Sequence, residues 1–261
     1  MRLKDKVAII TGAGQGIGRA YANRFATEGA KVVVAEVNEE IGRRTEQEIK
    51  RAGGEASYVK TDVSNEDSCK EMAAKTQARY GRIDVLLNNA AIFYGMDRED
   101  SSLGYFNKIL SVNLTGVWLC TRAVEAYMKR QGKGKIINQS STAAFMGNTG
   151  FVDTSDPEKP SPPFHYSVAK IGVNGLTKYF AGALGPWGIN VNAIAPGVTL
   201  TEATKTVVPV EMISALVMYT ALRKALQPED LTGTAVFLAS EDSDLMTGQV
   251  LVVDAGMFML G

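Results

Sequence analysis

The sequence predicts an α/β fold: a doubly wound parallel sheet with helices on both faces, in one domain. Three observations lead there. Apolar runs of strand length alternate with longer segments of helical spacing along the whole chain. Several strand runs are apolar throughout, as strands covered on both faces must be. A glycine-rich turn joins the first strand to the first helix. A chain of 261 residues is long enough for one large domain, and the rhythm continues to its end.

The strand runs are residues 7–11, 32–36, 56–61, 85–89, 135–139, 190–195 and 249–253. Helical spacing fills 18–28, 39–52 and 66–80 between them. One segment breaks the rhythm. D-T-S-D-P-E-K-P-S-P-P, residues 153–163, holds four prolines and four charges and reads as a loop.

Composition narrows the classes of function. With 28 basic and 28 acidic residues and no block of like charge, nucleic acid and membrane are poor partners. The first apolar run ends after four residues at Thr11-Gly12, too short for a signal-peptide core. No apolar stretch reaches spanning length. Cys69 and Cys120 have no metal-ligand spacing and read as reduced thiols of a cytoplasmic protein. A single histidine leaves little material for a metal site, and none is expected.

The first strand runs into T-G-A-G-Q-G-I-G, residues 11–18. Gly12, Gly16 and Gly18 allow a tight turn and a close backbone approach, so a pyrophosphate can sit at the helix N-terminus. The second strand ends at Glu36, whose carboxylate suits the adenosine ribose hydroxyls and repels a 2′-phosphate. Neither Val37 nor Gln15 offers a positive charge to such a phosphate, so NAD is expected over NADP. Asp62 ends the third strand as an acceptor for the adenine amino group or as a cap for the next helix.

In P-F-H-Y-S-V-A-K, residues 163–170, Tyr166 and Lys170 stand four apart and share one face of a helix. A free tyrosine titrates near 10, roughly, and a neighbouring ammonium lowers that value. His165 is one position from Tyr166, on a different face, and reads as a pocket-wall residue.

These pieces occur in an order that resembles the short-chain dehydrogenase/reductase family along nearly the whole chain. The matching motifs are T-G-A-G-Q-G-I-G, D-V at 62–63, N-N-A-A at 88–91, V-N-L-T-G around Asn113, I-I-N-Q-S-S, Y-S-V-A-K and I-A-P-G-V-T-L-T at 194–201. Two glycine-to-alanine departures stand out: Ala91, and Ala255 in V-D-A-G. Both are expected to be tolerated.

The resemblance implies a Rossmann-type dinucleotide fold and a catalytic set of Asn113, Ser141, Tyr166 and Lys170. Tyr166 would exchange a proton with the substrate oxygen, and Ser141 would orient that oxygen. Lys170 would also hold the nicotinamide ribose, and Asn113 a water that relays the proton. Ser141 is preferred over Ser140, which would support it. The cofactor contacts implied are Gly12, Gln15, Gly16, Ile17, Gly18, Glu36, Asp62, Val63, Asn89, Ala90, Tyr166, Lys170, Pro196, Gly197, Thr199 and Thr201. The two threonines would grip the carboxamide.

Ser141 and Tyr166 lie farther apart than is usual in the family, so residues 145–164 read as an active-site loop insertion. Residues 199–224 read as a substrate lid, with Met212 and Met218 able to adapt in shape. The pocket is expected to include Ala91, Phe93, Thr142, Phe151, His165, Met212 and Leu216. Near the catalytic pieces only Lys205 and the more distant Arg223 are basic, which suits a neutral, apolar secondary alcohol, aryl or alicyclic. A sugar, polyol or hydroxyacyl substrate is the alternative, favoured if Asn148, Thr149 and Asp153 face the pocket. A catalytically silent nucleotide-binding protein is a third reading. A homotetramer follows from the resemblance, and the apolar end at 257–260 packs either on another subunit or on its own chain.

Overall fold

The computed structural model describes residues 1–92, 102–146 and 164–259. Strand and helix alternate as β1 Val7–Thr11, α1 Gly16–Thr27, β2 Lys31–Glu36, α2 Glu39–Arg51, β3 Glu55–Lys60, α3 Glu66–Tyr80 and β4 Val85–Asn88. After α4 (Leu103–Leu110), a π-helical turn at Ser111–Thr115 leads directly into α5 (Gly116–Gln131). Then come β5 Gly134–Gln139, α6 His165–Leu184, β6 Ile189–Pro196, α7 Glu202–Val207, α8 Val210–Met218, α9 Thr232–Ala239 and β7 Val250–Val253. Each expected strand is present, with its ends within a residue of the expected ones.

The seven strands form one parallel sheet in the order β3-β2-β1-β4-β5-β6-β7. β1 pairs with β2 on one side and β4 on the other, so the order reverses beside β1. Connections leave that point in opposite directions and open a crevice at the strands' C-terminal ends.

The pleat explains why these strands are apolar throughout. Ala8 and Ile10 of β1 join Val32 and Val34 of β2 in one core, against Tyr21 and Phe25 of α1 and Val236 of α9. Ile9, Val33 and Ala35 point the other way, against Met72 of α3, Leu119 and Val124 of α5 and Phe180 of α6. Alternate residues therefore serve two cores.

Local signals mark the helix ends. Asn38 caps α2 by accepting from the amides of Glu40 (3.0 Å) and Ile41 (3.4 Å). Glu39 and Glu40 lie in its first turn and Lys50 and Arg51 in its last, matching the helix dipole. Asn65 caps α3 through the Ser68 amide at 2.9 Å. This corrects one expectation: Asp62 does not cap that helix but turns its carboxylate onto the Ser64 amide (2.9 Å) and hydroxyl (2.6 Å). Asn65, three residues later, is better placed to reach the helix amides.

Among the described residues no helix is long and apolar enough to cross a membrane. Of the 145–164 interval, Phe145, Met146 and Phe164 are described; Asn148, Thr149, Phe151 and Asp153 lie outside the described residues, as does Phe93.

Asp84 anchors the start of the sheet. It is 8% exposed and accepts from the Val7 amide at 2.8 Å and from Arg82 at 2.8 and 2.6 Å. Asp84→Ala leaves a buried N–H unsatisfied and is expected to destabilise the fold by about 1–3 kcal/mol. A lowered urea midpoint at unchanged slope is the measurement that shows it.

Candidate active site

The glycine turn is shaped by contacts that leave no room for side chains. A Cβ on Gly18 would lie 2.1 Å from the Gly12 carbonyl oxygen, and Gly16 has φ +53°. Helix α1 starts with no side-chain cap, because Gln15 at the cap position makes no such bond, and no acidic residue lies in its first turn. Its free amides thus face the crevice with the positive end of the dipole, a fit for a pyrophosphate. Ile17 packs back onto the core from the same turn.

Glu36 lies beside this turn. One carboxylate oxygen accepts from the Gly14 amide at 3.1 Å and the other from Asn38 at 3.2 Å. Each keeps a further lone pair for a ribose hydroxyl. Gly14 was not singled out from the sequence, yet a Cβ there would meet Ile41 at 2.6 Å and Glu36 at 2.9 Å. The end of β4 is tied to the same turn. Asn89 donates its amide group to the carbonyls of Thr11 (3.0 Å) and Gly12 (3.2 Å), and the Thr11 hydroxyl accepts from the Asn89 and Ala90 amides. The Asn89 side chain thus shapes the cradle from behind. Val63 is likewise turned inward, against Gly116.

The expected catalytic residues meet at the ends of β4 and β5 and the start of α6. The Ser141 and Tyr166 side chains are hydrogen-bonded. Ser141 also accepts from the Ala143 amide at 3.1 Å, which orients its hydroxyl at the start of a 3₁₀ turn, Thr142–Phe145. Ser140 points away, donating to Asn174 at 2.6 Å and lying 3.5 Å from the Lys170 carbonyl. The two adjacent serines therefore point apart, because neighbours at a strand end face opposite sides.

Lys170 is 2% exposed and donates to the Gln139 carbonyl at 2.7 Å. Its Nζ lies 5.4 Å from the centre of the Tyr166 ring. Burial lowers the Lys170 ammonium to about 8. Burial pushes the Tyr166 hydroxyl up to about 12, with the Ser141 hydrogen bond acting downward. The neighbouring Lys170 ammonium, expected to lower the tyrosine, does not by itself do so. In the protein by itself desolvation of the phenolate is the larger effect.

Asn113 is fully buried in the π-helical turn. Its Oδ1 accepts from the Ile92 amide at 2.7 Å and its Nδ2 donates to the Ile92 carbonyl at 3.0 Å. The side chain thereby holds the segment after β4. His165, expected as a pocket-wall residue, is enclosed by aromatic rings. It is 5% exposed and packed edge-on to Tyr105 (5.5 Å), Phe106 (5.2 Å) and Phe164 (5.6 Å). The α4–α6 contact takes this ring.

Past β6, Pro196 and Gly197 lead into Thr199, which is buried with its hydroxyl on the Gly197 carbonyl at 3.1 Å. Thr201 caps α7 through the Thr204 amide at 3.0 Å, and its methyl group would lie 3.4 Å from a Cβ on Gly16. The loop after β6 and the glycine turn are thereby neighbours across the crevice. Helix α8 carries half-buried Met212 and Leu216, while Val210, Met218, Tyr219 and Leu222 are exposed. Ala91 is exposed at the crevice and Thr142 is buried beneath it.

Sequence reasoning missed Gln139, whose main-chain oxygen holds Lys170 and whose side chain accepts from Tyr21 of α1 at 2.9 Å. Its place directly before Ser140-Ser141 was the available signal. It also missed the buried Asp254, which bonds within its own turn, and the contact of Phe258 with Phe145. Within the 257–260 stretch the Phe258 ring lies 6.3 Å from Phe145 of the same chain.

Comparison with known proteins decides the family. A family profile described as enoyl-(acyl carrier protein) reductase matches residues 12–258. The chain is a short-chain dehydrogenase/reductase. An uncharacterized oxidoreductase of Mycobacterium tuberculosis is 44% identical over 258 residues, covering 98% of each chain. A 3-oxoacyl-[acyl-carrier-protein] reductase of Synechocystis is 38% identical, again over 98% of each. The solved structure of a 7α-hydroxysteroid dehydrogenase with NADH and 7-oxo-glycochenodeoxycholic acid matches with TM-score 0.88 and 32% identity, covering 98% of this chain and 95% of that one. The short-chain dehydrogenase/reductase described here is therefore an oxidoreductase, and its crevice fits a nicotinamide cofactor.

The lowered Lys170 sets a pH dependence. Between about pH 8 and 10.5 the unfolded lysine binds a proton that the folded one lacks, so stability rises with pH across that window. Lys135, also lowered by burial, adds to the rise. Lys170→Met is expected to remove part of it, read from urea midpoints of the cofactor-free protein at pH 8 and pH 10.

Proposed function

We propose that this enzyme is an NAD-dependent dehydrogenase that interconverts a hydrophobic secondary alcohol, aryl or alicyclic, and its ketone. The observation that carries this reading is the Ser141–Tyr166 hydroxyl pair set over the buried Lys170. A nicotinamide held in the crevice would supply the acceptor for the hydride of the carbinol carbon. The chain handles the proton. Ser141 holds the substrate oxygen and stabilises its developing charge. The Lys170 ammonium and the positive charge of a bound oxidised nicotinamide would together favour the Tyr166 phenolate, which accepts the alcohol proton in oxidation and as phenol returns it in reduction. Lys170 is lowered to about 8 by burial, so it exists in both protonation states near neutrality and responds to any charge placed beside it.

The preference for NAD rests on Glu36, a carboxylate at the ribose position that repels a 2′-phosphate. The apolar substrate rests on the side chains around the crevice mouth: Met146, Phe164, Met218, Tyr219 and Leu222 are all exposed there or on the lid. Lys205 is paired with Glu202 at 3.3 Å, which weakens it as a clamp for an anionic substrate. We take 199–224 as the lid and place the protein in the cytoplasm, where its two free thiols stay reduced.

A second reading, a hydroxyacyl substrate on the same residues, is favoured by the resemblance to the 3-oxoacyl reductase. We also propose a homotetramer that buries Trp118 of α5 and Ile171 and Tyr179 of α6, which are 43%, 53% and 65% exposed. Light scattering at four times the 28.0 kDa chain mass supports it, and a single 28.0 kDa species refutes it.

The direct test is NADH formation with a panel of secondary alcohols and a β-hydroxyacyl thioester, with NAD⁺ and NADP⁺ in parallel. Turnover with NAD⁺ and an aryl or alicyclic alcohol is expected, falling by about 10²–10⁴ in Tyr166→Phe. Preference for NADP⁺ overturns the assignment to Glu36. Turnover confined to the thioester establishes the second reading.

A further inference from the structure

We propose that the C-terminal turn, residues 254–259, is a specificity wall of the active site, with Phe258 closing the substrate end against Phe145; this rests on the dehydrogenase reading above. The turn follows β7 at the sheet edge and reaches three segments that hold the reacting end of the site. Phe258 packs on Phe145 with ring centres 6.3 Å apart at 47°. Phe145 closes the 3₁₀ turn that Ser141 begins. The Ala255 and Gly256 carbonyls accept from the amides of Leu222 (3.0 Å) and Ala221 (3.2 Å), at the end of the lid. Gly197, at the start of the loop after β6, sits so close that a Cβ on it would be 2.7 Å from Asp254.

The turn is built to keep this shape. Asp254 is 6% exposed, and its two oxygens accept from the amides of Gly256 (2.9 Å) and Phe258 (2.6 Å). Ala255 is held at φ +57°, a left-handed conformation that costs a non-glycine residue about 1–2 kcal/mol. A conformation of that kind persists where the surroundings over-determine it. The two carboxylate bonds and the two lid bonds do so here. The position of the Phe258 ring is therefore set by the lid end and the sheet edge together. Its contact with Phe145 brings it onto the 3₁₀ turn that Ser141 caps, and we place the outer part of the substrate against it.

A residue that only fills space at the chain end would, when truncated, weaken all substrates alike. A wall acts through the part of the substrate that touches it. Phe258→Ala is expected to raise KM for 1-phenylethanol about tenfold, with kcat within about threefold and propan-2-ol little affected. Phe258→Leu should restore most of the loss, and NADH affinity should stay unchanged in both. A second measurement needs no turnover. Hydrogen exchange at amides 142–145 and 221–222 is expected to rise in Phe258→Ala and to return toward wild type in Phe258→Leu.

Equal loss of kcat/KM for the large and the small alcohol overturns the wall, and so does unchanged exchange at both segments. If wild type oxidises no alcohol while exchange rises at both segments, the clamp stands and the alcohol reading falls. If neither turnover nor an exchange change is found, both fall.

Discussion

Lys170 brings an ammonium into a place where 2% of the residue is exposed, and it is held by the main-chain oxygen of Gln139 at 2.7 Å. A cation so enclosed is costly unless a good acceptor meets it. The last residue of β5 and the second turn of α6 must therefore stay in register. That requirement shapes what lies around them. Asn138 of β5 donates to Thr177 of α6 at 2.9 Å and accepts from Asn88 of β4 at 2.9 Å, so a buried polar chain ties the helix across two strands. Ser140 adds a bond to Asn174, one turn past Lys170. Tyr166, four residues before Lys170, then has little freedom, and Ser141 is delivered to it from the neighbouring strand end.

The cofactor end depends on the same sheet through different bonds. Parallel pairing of β1 with both β2 and β4 brings three strand ends together. Glu36 from β2 and Asn89 just after β4 then grip the glycine turn from two sides, one as acceptor and one as donor. The turn is thus shaped before any phosphate arrives, which lowers the ordering cost of binding. Tyr21 of α1, bonded to Gln139, joins this end to the strand that holds Lys170.

Much of this was legible in the residues. The strand runs were readable because a buried parallel strand must be apolar on both faces, and the pleat bears this out at Ile9 and Ile10. The Tyr166–Lys170 pair was readable because helix periodicity is local. The preference for Ser141 over Ser140 came from the family resemblance alone, and strand alternation accounts for the opposite directions the two side chains take. What failed to read were effects that depend on surroundings. The direction in which Tyr166 titrates is set by how much protein encloses it. Asn113 could not be assigned to Ile92, nor His165 to three aromatic rings, without knowing which loops fold back onto them.

By itself the sequence determined the alternation of elements, the single parallel sheet, the glycine turn and the identity of the residues able to move a proton. These rest on periodicity, turn chemistry and side-chain type, all of which act within a few residues. The tertiary structure alone decided which bonds those residues make: Lys170 to Gln139, Glu36 to Gly14, Asp254 to its own turn and Phe258 to Phe145. In three of these pairs the partners are 22 or more residues apart. In the other, a buried carboxylate holds a turn whose strain the sequence does not announce. Contacts of that reach are chosen by how the sheet closes and by what its burial leaves unsatisfied.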